Sequence, residues 1–241
     1  MATLELLGKW NEPPSTKVHM VCRIPRPTKN TLSSTINYQI KMKYLMLIAI
    51  IALSSCALPT RVAVNPQGEF ATIKVEPSNS EIKLLSKRDP ASIDRVTKNP
   101  GAYNPAVLYA LSDALFRSGR KDDAAYWYYL GQLRARSDAN KALDFSARQA
   151  VGVLNQRYGS QINRYTFKDT ARLRLTVSKV ILSDQSIPRD YDARWIALHG
   201  MDAFDSDKVD FAPRNQWKTI NDTTRRQYEK DFNSAMRYLQ K

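Results

Sequence analysis

Cysteine is scarce in this chain: its 241 residues include only two, Cys22 and Cys56. The whole of the longer part that follows Cys56 is therefore free of thiols. This absence excludes an internal disulfide or a thiolate metal site after Cys56, and an oxidising compartment would find no thiol to oxidise there.

Histidine is equally rare, and His199 is the only one after Cys56. No Cys–His nucleophile or histidine-rich metal cluster can form there, and neither Gly-x-Ser-x-Gly nor a phosphate-binding glycine loop occurs. His199 stands before Gly200 at a predicted helix end, where a structural role is favoured because a general base needs an oriented partner. The aspartates of residues 202–210 lack the glycine and terminal glutamate of an EF-hand loop. We therefore predict no enzymatic activity, no metal and no cofactor.

Acidic residues are in the minority: Lys and Arg outnumber Asp and Glu by 37 to 23, for a formal net charge of +14. Such an excess favours an acidic partner, which could be an acidic protein face, an anionic lipid surface or a nucleic acid. If the chain is exported, a nucleic acid is excluded as a partner.

Residues 42–56 have the composition of a secretory signal. Lys43 supplies a positive start, residues 44–53 form an unbroken apolar run, and two serines precede the cysteine. The run is much shorter than the roughly 20 residues that a membrane-spanning helix needs. Its end, Leu53-Ser54-Ser55-Cys56, resembles the lipobox of bacterial lipoproteins, in which the cysteine is acylated. We predict a lipoprotein signal peptide with Cys56 as the lipid attachment site; the alternative is a buried helix or an uncleaved anchor.

The signal divides the chain into further predicted parts. Residues 1–41 are rich in proline without sustained periodicity, which predicts an unstructured extension, and we favour Met42 as the true start of translation. Residues 57–79 predict a tether with one short strand over 71–75. In lipoprotein families an Asp after the acylated cysteine retains the protein in the inner membrane, and Ala57 stands there instead. The predicted location is therefore the periplasm, with the lipid in the outer membrane.

Residues 80–241 follow a helical pattern and predict a single all-α domain of about six or seven helices. Asp89 and Pro90 supply the cap and the first residue of a short helix near its beginning.

Asn104 and Pro105 begin one helix and Gly119 ends it, and a second helix follows directly and continues to Arg136. This αα-hairpin resembles a single tetratricopeptide-like unit. No second copy occurs at the expected period, which disfavours a multi-repeat solenoid.

Four more helices are predicted after the hairpin. The first covers about residues 145–158 and is expected to end at Gly159, and the second covers about 169–184. A short helix over 192–199 is closed by Gly200. The last begins near Trp217, and its apolar spacing predicts that the C-terminus docks on the core.

Four successive aromatic residues, 126–129, occupy most of a helix circumference because neighbouring side chains point about 100° apart. Either this helix is central and enclosed, which is the favoured interpretation, or some of the rings are presented to a partner. For Arg134 and Arg136 a solvated helix end is favoured over an anion site.

The segments YWYYLGQLRAR (126–136) and YDARWIALHGM (191–201) resemble those of small periplasmic lipoproteins, some of which are immunity partners of type VI secretion effectors, particularly phospholipases. The resemblance covers about residues 90–240. It implies a non-enzymatic inhibitor that occludes the surface of a protein partner and is held at the membrane by its N-terminal lipid, with no role for nucleic acid. The alternative is a structural or adaptor lipoprotein that uses the hairpin. Because recognition residues often lie on loops or show aromatic rings, the candidate contact residues are Tyr126, Tyr129, Phe204, Asp205 and Asp207.

Overall fold

The computed structural model describes residues 65–238, and these residues form α-helices and 3-10 turns without any extended strand. A single antiparallel bridge joins Ala142 to Phe211. The predicted all-α class is thus confirmed for the described residues, which contain more helical segments than the six or seven expected because several connections form short turns of helix. The predicted extension, signal peptide and lipid site at Cys56 lie outside this range. Within it, none of the helices combines the length and apolar composition that a membrane crossing requires.

The chain enters the domain earlier than the sequence predicts. A 3-10 turn, Gly68–Thr72, replaces the strand expected over 71–75, and that strand prediction is wrong. The turn requires a φ of 53° at residue 68. Residues with a side chain disfavour this conformation, whereas Gly68 adopts it readily. Phe70 and Ile73 are buried in a small apolar cluster. Burial of these two side chains therefore packs part of the segment predicted as a tether against the domain.

Two short helices follow, α1 (Glu76–Ser86) and α2 (Pro90–Lys98). The predicted start of α2 is confirmed: the Asp89 carboxylate accepts a hydrogen bond of 2.8 Å from the backbone N–H of Ser92, and Pro90 is the first helical residue. A cap of this kind satisfies a backbone donor that the helix cannot satisfy itself.

The predicted αα-hairpin is present as α3 (Pro105–Arg117) and α4 (Lys121–Ala139). Gly119 ends α3 with a φ of 84°, as expected of a left-handed C-terminal residue. Helix α4 is the centre of the domain, since α3 packs along it and three later helices also contact it. Whether the pair is tetratricopeptide-like stays a prediction.

Helices α5 (Gln149–Thr166) and α6 (Thr170–Ser186) form the next layer. The expected end at Gly159 is wrong, because α5 continues through it. A Cβ atom at Gly159 would collide with the hydroxyl and ring of Tyr128 on α4. The glycine is therefore needed for close packing of two helices and not for ending one.

The C-terminal part begins with a 3-10 segment, Ala193–His199, where a short helix was predicted, followed by the single turn α7 (Asp202–Asp205). Helix α8 (Trp217–Tyr238) ends the described chain. Its Tyr228, Phe232 and Met236 are buried in the main core, which confirms that this helix docks on the domain.

Candidate functional site

The aromatic run lies on the central helix α4, and most of it is inside the protein. Trp127, Tyr128 and Tyr129 are buried, which confirms the interpretation of an enclosed helix. The Tyr129 hydroxyl donates to Asn163 Oδ1 at 3.1 Å and lies 3.0 Å from Thr166 Oγ1. Tyr129 was a candidate contact residue, and its burial among these partners contradicts a role at the surface.

Tyr126 is the partly exposed member of the run. Its ring lies edge-to-face on Trp127, with 5.0 Å between the centroids, and the ammonium of Lys179 lies 5.1 Å from its centre. The residue reaches the surface between α4 and α6, so it remains a candidate contact residue.

Arg134 does not lie at a solvated helix end, and that expectation is wrong. Its side chain is fully buried and its Nε donates to Asp184 Oδ1 at 3.0 Å. The guanidinium also donates to the carbonyl oxygens of Ile187 at 2.7 Å and Pro188 at 3.2 Å. The end of α6 and the turn after it therefore close over α4 at this point. The Arg136 guanidinium lies 5.2 Å from the centre of the Tyr228 ring.

Further charged residues extend this pair into a buried charge cluster. Arg189 and Arg225 both bind Asp184, at 2.8 Å and 3.0 Å. Asp138 binds Lys141 at 2.7 Å and accepts hydrogen bonds of 2.9 Å from the Tyr191 hydroxyl and from Trp195 Nε1. Arg189 Nη1 lies 3.6 Å from Asp138 Oδ1 and links the two halves. We call the following six residues the buried charge cluster: Arg134, Asp138, Lys141, Asp184, Arg189 and Arg225.

The electrostatics of the cluster keep the Asp184 carboxylate ionised. Burial alone would raise the pKa of Asp184, but the guanidinium groups of Arg189, Arg134 and Arg225 outweigh it and hold that pKa below its usual value. Burial lowers the pKa of Lys141, which Asp138 opposes. A general acid needs a carboxyl with a raised pKa, and Asp184 is shifted the other way. The cluster fits a role in fixing helices together.

A groove of about 600 Å³ borders the buried charge cluster and is lined in part by its members Asp184, Arg189 and Arg225. Two of the basic side chains that line it are engaged with carboxylates: Arg225 binds Asp184 and Asp222, and Lys218 binds Asp222. Across residues 65–238 no three His, Cys, Asp or Glu residues are grouped so that they could hold a metal ion.

Elsewhere on the domain, four large apolar side chains are exposed to solvent. Leu143, Phe145, Met201 and Phe204 are 57%, 71%, 62% and 53% exposed. We call these four residues the apolar patch. They lie on two chain segments far apart in sequence, one before α5 and one around α7.

The turn at Asp144 holds the two segments of the apolar patch together. The Asp144 carboxylate accepts hydrogen bonds from the backbone N–H of Ser146 at 2.8 Å and from that of Asp202 at 3.3 Å. The N–H of Met201 donates to Ser146 Oγ at 2.7 Å. Gly200 is required here, since a Cβ would collide with the Asp144 carboxylate. The patch therefore rests on backbone that is fixed by hydrogen bonds.

Carboxylates border the apolar patch. Asp202, Asp205, Asp207 and Asp210 lie within ten residues that contain a single basic residue, Lys208, and we call these four aspartates the acidic rim. Partial desolvation, together with the negative charges of Asp144, Asp205 and Asp210, raises the pKa of Asp202. The backbone N–H of Glu69 donates to Asp207 O at 2.8 Å, and Glu69 Oε2 accepts from the N–H of Val209 at 3.0 Å. The N-terminal 3-10 turn thus supports the rim.

The structure brings three of the five candidate contact residues together. Phe204, Asp205 and Asp207 line one depression of about 380 Å³ with Gln67, whereas Tyr126 and Tyr129 lie on α4. The sequence reasoning missed Leu143, Phe145 and Met201. The sequence does distinguish these three residues, since each is large and apolar but lies outside the apolar faces of the predicted helices.

The sequence matches no protein-family model, no curated protein and no solved structure.

Proposed function

We propose that this protein is a lipid-anchored, non-enzymatic binding protein of the periplasm, and that it neutralises a type VI secretion effector such as a phospholipase by covering the surface of that effector. The anchor in this proposal is Cys56, with the lipid in the outer membrane. The observation that carries the binding function is the apolar patch, because monomeric proteins seldom expose a group of large apolar side chains without a use for it. The choice of effector class rests on the resemblance of residues 126–136 and 191–201.

The scaffold suits an inhibitor. The buried charge cluster ties α4 to α6 and α8, and hydrogen bonds at Asp144 fix the backbone under the apolar patch. Binding by a preformed surface costs little ordering entropy. A lipid anchor would add to this by raising the local concentration of the inhibitor at the bilayer that a phospholipase attacks.

A second candidate is a structural or adaptor lipoprotein of the envelope. It is favoured by a separate pair of exposed leucines on α6, Leu175 at 74% and Leu182 at 66%. They are seven residues apart, so they lie on the same face of the helix. An adaptor joins two partners, and this face would supply the second contact.

Deletion of the gene tests the two functions against each other. Under the immunity function the deletion strain is killed by sibling cells that secrete the effector, and the wild-type gene restores survival. A complementing gene with Cys56→Ser should restore less, because the variant lacks the lipid that places the protein in the outer membrane. A deletion strain that resists its siblings fully but has a defective envelope would refute immunity and favour the adaptor.

A further inference from the structure

The chemistry of the partner can be inferred from the apolar patch and its border, and this inference rests on the proposed binding function. The patch offers Phe145, Met201 and Phe204 as side chains that are more than half exposed. Aromatic residues and methionine are enriched where protein interfaces are buried, and methionine adapts to varied partner shapes. An apolar surface of this composition fits the apolar face of an amphipathic helix or loop.

The border of the patch determines the charge of that partner. The acidic rim supplies four carboxylates from residues 202–210, on a chain whose formal net charge is +14. Of the basic residues near in sequence, Lys141 is buried against Asp138 and Lys208 lies within the rim. The Arg148 guanidinium lies 4.4 Å from the centre of the Phe145 ring. The local excess is therefore negative, and it opposes docking of the patch on an anionic bilayer. Complementary charges at the border of an interface speed association and exclude wrong partners.

We propose that the apolar patch and the acidic rim together bind a basic amphipathic segment of a partner protein. The apolar side chains of that segment cover Phe145, Met201 and Phe204, and its Lys or Arg residues pair with Asp205 and Asp207. Both surfaces are needed: the patch supplies the buried area and the rim selects the charge.

A pair of synthetic peptides tests this directly. One is a helical peptide of roughly 18 residues with leucine on one face and lysine on the other, and the second has glutamate in place of lysine. Binding of each labelled peptide to the full-length protein in a neutral detergent is followed by fluorescence anisotropy, with detergent alone as the blank. We expect the Leu–Lys peptide to bind at least about 10-fold more tightly than the Leu–Glu peptide, and added salt to reduce the difference.

Variants locate the binding site. Phe145→Ser should weaken the Leu–Lys peptide about 10-fold, because one buried aromatic contact is lost. The double variant Asp205→Asn with Asp207→Asn should weaken it about fivefold, as expected for two exposed charge pairs. The matched control is Leu175→Ser with Leu182→Ser, which removes equally exposed apolar side chains from α6 and should leave binding unchanged. Circular dichroism verifies that each variant folds.

The inference is overturned if the two peptides bind equally, or if the α6 control weakens binding as much as Phe145→Ser. It is also overturned if Phe145→Ser reduces binding to phosphatidylglycerol vesicles but not to the Leu–Lys peptide, because the patch would then be a membrane contact. The sibling-killing assay separates this inference from the immunity function. Protection that survives Phe145→Ser and the double aspartate variant refutes the inference alone, whereas normal peptide binding with a fully resistant deletion strain refutes immunity alone.

Discussion

Replacing Asp184 by asparagine removes the charge on which half of the buried charge cluster depends. The Asp184 carboxylate is fully buried and binds three guanidinium groups, those of Arg134, Arg189 and Arg225. The three arginine side chains are 0%, 14% and 12% exposed, so water cannot replace the lost carboxylate. Asp184→Asn keeps the shape of the side chain and one acceptor oxygen but leaves the buried Arg134 without an ionised partner. Arg189 and Arg225 each lose one of their two carboxylates, and each keeps the other.

The loss in the free energy of unfolding can be taken from the behaviour of buried ion pairs. Removing one partner of such a pair destabilises a protein by about 3–5 kcal/mol, because the remaining charge stays desolvated. A domain of ordinary stability has about 5–15 kcal/mol in total. For a domain of this size about 1 kcal/mol corresponds to a shift of 2–4 °C in Tm, so we expect Asp184→Asn to lower Tm by about 10 °C.

Thermal unfolding followed by tryptophan fluorescence measures this loss, since Trp195 donates to Asp138 within the cluster. The matched control is Asp222→Asn, which also removes a carboxylate from Arg225 but at a site that is 34% exposed, and it should shift Tm by less than about 3 °C. A shift for Asp184→Asn no larger than that of the control would refute the reasoning.

The same pair of variants gives a pH test. The folded-state pKa of Asp184 lies below its unfolded value, so its stabilisation is fully present above an unfolded pKa of about 3.9 and is lost as the pH falls through the lower, folded value. The wild-type protein should therefore lose more stability on acidification than Asp184→Asn does. Equal pH dependence of Tm in the two proteins would contradict the ionised state assigned to this carboxylate.

Three further outcomes are expected. Gly159→Ala should destabilise the domain by about 1–3 kcal/mol in thermal unfolding, because the new methyl collides with Tyr128, whereas the exposed control Ser160→Ala should be neutral. Cys56→Ser should abolish the incorporation of labelled palmitate into the protein, and label that persists in this variant would contradict acylation at Cys56. Binding of the Leu–Lys peptide should weaken as the solution is acidified, because Asp202, whose pKa is raised above its usual value, loses its charge.

The elements that the sequence predicts well are those set by neighbouring residues. Asp89 caps α2 through a donor three residues away, and Gly119 ends α3 through its own backbone conformation. Gly159 has the same local signature as Gly119, yet it lies inside α5. What decides between the two roles is a contact with Tyr128, which is distant in sequence, so no local rule could separate them.

The candidate site is harder to predict for the same reason. Arg134 and Asp184 are 50 residues apart, and periodicity within either helix cannot show that they meet. Considered alone, Arg134 is expected at a solvated helix end. The apolar patch likewise combines Phe145 with Met201 through hydrogen bonds between segments 55 residues apart. Only Phe204, Asp205 and Asp207, which are close in sequence, could be recognised together.

The distribution of charge changes what the net charge implies about a partner. An excess of basic residues favours an acidic partner only when those residues are accessible. Here Arg134, Lys141, Arg189 and Arg225 are held in the buried charge cluster by the carboxylates of Asp138 and Asp184, and Lys141 is only 1% exposed. The cations of the cluster outnumber its carboxylates, so part of the positive excess is hidden from solvent. The apolar patch is meanwhile bordered by aspartates. The accessible charge at the patch is thus opposite in sign to the total, and a partner that docks there should be basic although the chain itself is basic.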